Sequence, residues 1–153
     1  MAKTSFREGD WFAVPLSEGG YAVGVVARAN TAGVLFGYFF GPRRDAVPSL
    51  TDVQGLAPED AVLVGKFGYL GLRERKWPIL GRLETWNRRD WPMPAFVRYE
   101  ELSGRSFKVI YDENDPNRLV REEQIPPGAA EQGPQDGLMG AGFVEEVLSD
   151  ALG

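Results

Sequence analysis

The sequence predicts a mainly β protein with minor α content. The expected architecture is a twisted, partly closed antiparallel sheet that starts like a small SH3-like barrel, with short helices, one at the C-terminus. Three observations carry it. Apolar residues alternate with period two through residues 11–27, as in strands with two distinct faces. The 19 glycines and 11 prolines recur along the chain, which favours short strands and turns over long helices. Apolar residues at helical spacing gather at the end, at Phe143, Val144, Val147, Leu148, Ala151 and Leu152. The chain of 153 residues is most simply one domain, 1–153. At that length it buries roughly 70% of its unfolded surface and needs no disulfide or metal staple.

Phe12, Val14 and Leu16 alternate with Trp11, Ala13 and Pro15, which makes a first strand. Pro15 donates no ladder bond, so the strand lies near an edge there. Ser17-Glu18-Gly19-Gly20 suits a tight turn. Tyr21, Val23, Val25 and Ala27 then alternate with Ala22, Gly24 and Val26 and complete a hairpin. Gly24 marks a bulge or a close backbone approach. Residues 34–40, "VLFGYFF", are apolar on both faces and are expected to be central or covered.

Ser49 and Asp52 approximate a capping box over a helical turn at 49–54, stopped by Gly55. Pro58 can open another turn. Strands are expected at 61–67, 77–83, 95–100 and 106–112, the last two joined by a turn at Leu102-Ser103-Gly104-Arg105. "GYLGL" and "RERK" read as turns. Residues 84–96 form an extended crossing, because the residues before Pro92 and Pro94 avoid helical angles. "ENDPN" is a turn and "RLVREEQI" returns as a strand. Residues 126–137 are rich in proline and glycine and read as a loop or hinge. The C-terminal helix is expected to dock its apolar stripe on the sheet and to carry Glu145, Glu146 and Asp150 on its polar face.

The chain has no histidine and no cysteine. Zinc, haem and iron–sulfur sites therefore lose their usual ligands, and neither a thiolate nor an imidazole base exists. No cofactor, metal or catalytic residue is expected. A lack of cysteine suits a reducing cytoplasm, the segment "MAKTSFREGDW" has no signal-peptide core, and no apolar run is long enough to span a membrane. The formal net charge of −5 divides unevenly, +3 over residues 1–110 and −8 over residues 111–153. An acidic third beside a mildly basic body repels nucleic acid and steers basic proteins.

Several local patterns invite chemistry. Asp112-Glu113-Asn114-Asp115 resembles the start of a calcium loop, but Pro116 and Asn117 replace the turn that loop needs. Glu100-Glu101 and Glu122-Glu123 are neighbours on strands, where adjacent side chains point to opposite faces. Arg73, Arg75, Lys76, Arg88 and Arg89 lie near Trp77, Trp86 and Trp91, as in single-strand binders, yet the chain is net acidic and nucleic acid is not an expected partner. The glycines of "GKFGYLG" and "GLMGAG" lack the Gly-Lys-Ser/Thr ending of a phosphate loop. Nothing marks Ser106 as an activated nucleophile.

Taken together, "GDWFAVPLSEGGYAVGVV", "VGKFGYLGLRERKWPILGR", "DWPMPAFVR", "YDENDPN" and "DGLMGAGFVEEVL" resemble the immunity protein 26 family in order and spacing. That resemblance implies a small cytoplasmic protein of a bacterial polymorphic toxin system, which binds and neutralises a cognate toxin. Such toxins are frequently enzymes acting on nucleic acid. Some relatives carry a phosphotriesterase label, which sits poorly with a chain that has no histidine. Asp112, Glu113, Asp115, Glu122 and Glu123 are the expected acidic contact surface, and exposed members of Trp77, Trp86 and Trp91 its apolar anchors. The alternatives are a carboxylate–metal phosphoester hydrolase and an SH3-like peptide-binding module.

Overall fold

The computed structural model describes residues 6–131 and 133–153. Among them, nine strands build two sheets. The larger sheet holds β1 (Asp10–Pro15), β2 (Tyr21–Ala29), β3 (Val34–Arg44), β4 (Leu63–Gly68), β5 (Ile79–Arg82) and β9 (Leu138–Met139), in the order β5-β1-β2-β3-β4-β9. The smaller sheet is a meander of β6 (Phe96–Glu100), β7 (Arg105–Asp112) and β8 (Asp115–Ile125). Two helices complete the chain, α1 (Leu70–Arg73) and α2 (Ala141–Leu152). All pairings are antiparallel except β4 with β9.

The period-two alternation of the first hairpin becomes two cores, one on each face of the large sheet. Phe12, Val14, Ala22, Val26, Leu35 and Phe39 face α2, through its Val144 and Leu148. Trp11, Val23, Val25, Phe36, Tyr38 and Phe40 face the small sheet, through its Phe96 and Val109. The sheet is therefore open, not partly closed, since β5 and β9 at its two edges do not meet. A sheet must bury its apolar faces by curling or by being covered, and here a layer covers each face.

Pro15 sits where an edge was expected. β5 pairs with β1 only from Asp10 to Phe12, so Pro15 has β2 alone as a strand neighbour. Gly24 is a close approach and not a bulge: it stays in register with Phe12 and Phe39, and a Cβ there would lie 2.6 Å from the Phe12 ring. The shifts between β2 and β3 fall at Tyr21–Val23 and Val26–Arg28. The central position of β3 follows from its two apolar faces, both buried from Val34 to Phe40.

The capping pattern at 49–54 forms a 3-10 turn, with the Ser49 amide donating to Asp52 Oδ2 at 2.8 Å. A second 3-10 turn begins at Pro58. "GYLGL", read as a turn, instead enters one turn of α-helix at Leu70–Arg73. The "ENDPN" turn shrinks to Glu113-Asn114, because Asp115 already pairs with Asp112. Pro116 is tolerated in β8 since that strand is an edge. The loop at 126–137 carries a 3-10 turn at Ala129–Glu131 and leads directly into β9. On α2 the apolar stripe is wider than its interface: Val144 and Leu148 are buried, while Phe143 is 57% exposed. Glu145, expected on the polar face, turns inward and accepts the Trp77 indole N–H at 2.8 Å.

Candidate functional site

The expected acidic surface divides into two groups. Asp112, Glu113 and Asp115 cluster at the β7–β8 turn, where the tip is tied back onto the large sheet. The Glu113 carboxylate pairs with the guanidinium of Arg28, and Arg28 Nε donates to the Glu113 carbonyl at 2.9 Å. Arg28 is itself buried and also donates to the Ala27 and Trp91 carbonyls. Asp112 accepts the Asn114 amide at 2.8 Å. Asp115 accepts from Asn30 Nδ2 and from the Asn117 amide, each at 2.9 Å. The Asn30 bond, followed by the Asn117 amide, holds the Asp115 carboxyl below its ordinary pKa of 3.8.

Glu122 and Glu123 lie further along β8 and point to opposite faces, as strand geometry requires. Glu122 pairs with Arg98, and Glu123 with Arg121 at 2.9 Å. Among the five carboxylates, Glu113, Glu122 and Glu123 thus have internal cationic partners. The tryptophans separate as well. Trp77 is fully buried and stacks on Phe12 at 5.5 Å. Trp91 is buried against Trp11, Tyr38 and Phe40. Neither ring is available as an exposed anchor, because each sits in one of the two cores. Trp86 is half-buried and stacks on Trp91 at 6.1 Å.

A second constellation gathers around Asp136. The chain from Pro134 to Met139 is a strap joining the edges of the two sheets. The Val97 amide in β6 donates to the Pro134 carbonyl at 2.9 Å, and the Asp136 amide returns to the Val97 carbonyl at 2.8 Å. Two and three residues on, Leu138 and Met139 pair with Lys66 and Phe67 of β4. Asp136 sits between these attachments and receives three donors. Lys66 Nζ lies 3.3 Å from Oδ1, the Tyr111 hydroxyl donates to Oδ1 at 2.6 Å, and an Arg98 nitrogen lies 3.4 Å from Oδ2. Lys66 Nζ is also 3.6 Å from the centre of the Tyr111 ring, a cation–π contact.

Burial drives the titration behaviour of this cluster. Desolvation pulls Lys66 below its ordinary pKa, with Asp136 opposing. Burial, then the bond to Asp136, pushes Tyr111 upward. Nearby, burial pushes Tyr38 up to about 12, and its hydroxyl donates to the Pro92 carbonyl. Lys66, Tyr111 and Arg98 direct their donors to one carboxylate, so the cluster is built as a clamp between layers. Ser106 Oγ is buried without a hydrogen-bond partner, so no base addresses it. Among the described residues, no three His, Cys, Asp or Glu side chains converge to hold a metal. No described helix is long and apolar enough to cross a membrane.

Beside the strap opens an apolar groove of about 900 Å³. Ala61–Val64 form one wall, Gly133–Gly140 another, and Phe143 and Val147 of α2 the third, with Tyr38 and Pro94 also contributing. Among the described residues, Asp136 is the one charged residue in its lining.

Residues 7–108 match the family described as Immunity protein 26. The chain belongs to that family. The match spans β1 through the first half of β7, two thirds of the chain, and the family implies a toxin-neutralising role. The acidic β7–β8 turn, the strap and α2 follow the matched residues. Comparison with curated proteins and with solved structures returns no match.

Arg28 and Lys66 had a signal in the sequence: each is a lone cation inside an apolar strand, in "VVARA" and "VGKFG". A cation there must find a buried partner. Asp136 had none, because it stands in a proline- and glycine-rich loop whose path only the fold defines.

Proposed function

We propose that this protein neutralises a cognate toxin by direct, non-catalytic contact. Membership of the Immunity protein 26 family carries this reading. We take the toxin to be an enzyme acting on nucleic acid and the encounter to occur in the cytoplasm. An enzyme that grips phosphates presents a basic cleft, and an acidic surface presented to such a cleft associates quickly and salt-dependently. The −8 carried by residues 111–153 supports that polarity. Within it, Asp112, Glu113, Asp115, Glu122 and Glu123 are proposed contacts, with the half-buried Trp86 ring as the apolar anchor. Trp77 and Trp91 serve by holding the scaffold rigid, which lowers the ordering cost of binding.

The test is co-expression with the toxin encoded beside the gene. The chain is expected to co-purify with that toxin and to restore growth of cells producing it. Cells that die equally with and without the chain, together with no co-purification, overturn the reading.

A further inference from the structure

We infer that the groove beside β4 docks an extended segment of the toxin, with apolar side chains flanked by lysine or arginine, which adds as a strand to the open half of β4. The inference rests on the immunity reading above and adds a second contact surface to it.

The backbone supplies the first argument. β3 pairs with β4 along its whole length, from Leu63 to Gly68. On the other side β9 covers only Lys66 and Phe67. Leu63, Val64 and Gly65 therefore have no described strand partner on that side; Leu63 and Val64 line the groove, while Gly65 is buried against Met139. The strap that could have covered them leaves for β6, where Gln135 bridges Val97. The two attachments diverge, and the groove is the wedge between them. An open edge is a template for an added strand. β8 is the other long edge, but Arg118, Arg121, Glu122 and Glu123 load it with charge of both signs, the usual protection against pairing.

The second argument is apolar exposure. Val62, Leu138 and Phe143 line the groove and are 47%, 58% and 57% exposed. Three such side chains around one concavity suit alternate apolar residues of an incoming strand, with backbone pairing for affinity and pockets for specificity.

Charge identifies the occupant. Among the described residues, no lysine or arginine lines the groove. Next to the lining residues along the chain stand Glu59 and Asp60 before Ala61, Glu131 before Gly133, and Glu146 and Asp150 on α2, and none of these has a described basic partner within 4.0 Å. By helical spacing Glu146 and Asp150 share a face of α2 with Phe143 and Val147. The rim is thus acidic and unneutralised, unlike the hairpin, where internal cations already hold Glu113, Glu122 and Glu123. An apolar segment flanked by cations matches floor and rim together.

The experiment uses the full chain and the toxin encoded beside its gene. Leu138→Glu and Phe143→Glu alter exposed side chains. Glu84→Lys instead alters an exposed residue just after β5, at the opposite edge of the large sheet. Affinity is measured by titration, and amide hydrogen exchange is followed across β4. The groove variants are expected to weaken binding at least tenfold, Glu84→Lys less than threefold, and Leu63–Gly65 to exchange more slowly in the complex. Binding that survives both groove substitutions, or unchanged exchange at Leu63–Gly65, overturns this inference and leaves the immunity reading standing. Sedimentation of the chain alone is the third arm: a dimer that Phe143→Glu dissociates assigns the groove to a second copy and also overturns it. No binding by the unaltered chain overturns both readings.

Discussion

Lys66 Nζ lies 3.3 Å from Asp136 Oδ1, and the two side chains are only 7% and 11% exposed. This pair joins a strand of the large sheet to a strap that also borders the small one. Removing one member leaves the other charged and buried, which costs about 3–5 kcal/mol. Asp136→Ala is therefore expected to lower the melting temperature by about 10 °C. The double variant Lys66→Met/Asp136→Leu should recover much of that loss, since no buried charge is stranded. Thermal unfolding of the three proteins checks both expectations.

Trp77 ties α2 to the sheet. Its ring stacks on Phe12 and its indole N–H donates to Glu145 Oε2. Trp77→Ala is expected to cost about 3–5 kcal/mol through the cavity it leaves. Glu145→Ala strands the buried N–H and should cost about 1–3 kcal/mol. Urea denaturation measures both. Toxin affinity of whatever fraction remains folded should be unchanged for Trp77→Phe.

Gly24 is required by the Phe12 ring. A Cβ would lie 2.6 Å from its Cζ and 2.9 Å from a Phe39 ring carbon. Both rings are fully buried and cannot swing to solvent. Gly24→Ala is expected to destabilise by about 1–3 kcal/mol through overpacking, read as a lower urea midpoint.

Asp115 makes part of the acid limb of stability. Its carboxyl titrates below the ordinary 3.8 because Asn30 and the Asn117 amide bond its charged form. A depressed folded pKa means the unfolded chain takes up the proton first. The contribution is complete above 3.8 and disappears as pH falls through the lower folded value. Asp115→Asn should flatten the decline of stability below pH 3.8 and leave the curve above pH 5 parallel to the parent, in urea midpoints taken across that range.

Association with the toxin should slow with salt. Raising sodium chloride from about 0.01 to 0.15 M shortens the Debye length from about 30 to 8 Å. If acidic steering operates, the on-rate drops at least several-fold while the off-rate changes little. Stopped-flow mixing at both concentrations separates the two.

Local physics made much of the scaffold legible. The alternation in residues 11–27 and the Gly19-Gly20 turn place the first hairpin, both glycines adopting positive φ of 96° and 81°. The doubly apolar run at 34–40 marks the central strand. The spacing in residues 143–152 marks the last helix. Each of these depends on neighbours a few residues apart.

What the sequence by itself determined is the β-rich class, the strand faces, the family and the chemistry that a chain without histidine or cysteine lacks. Only the tertiary structure decided whether the sheet closes, which tryptophans reach solvent and which carboxylates stay unpaired. Lys66 meets Asp136 across 70 residues of chain, and Arg28 meets Glu113 across 85. Charge neutralisation acts through space, so an acidic run in a sequence says how many carboxylates exist and not which ones the fold has already paired. The open half of β4 has the same origin: it exists because the strap turns away to β6, a path set by packing between two sheets.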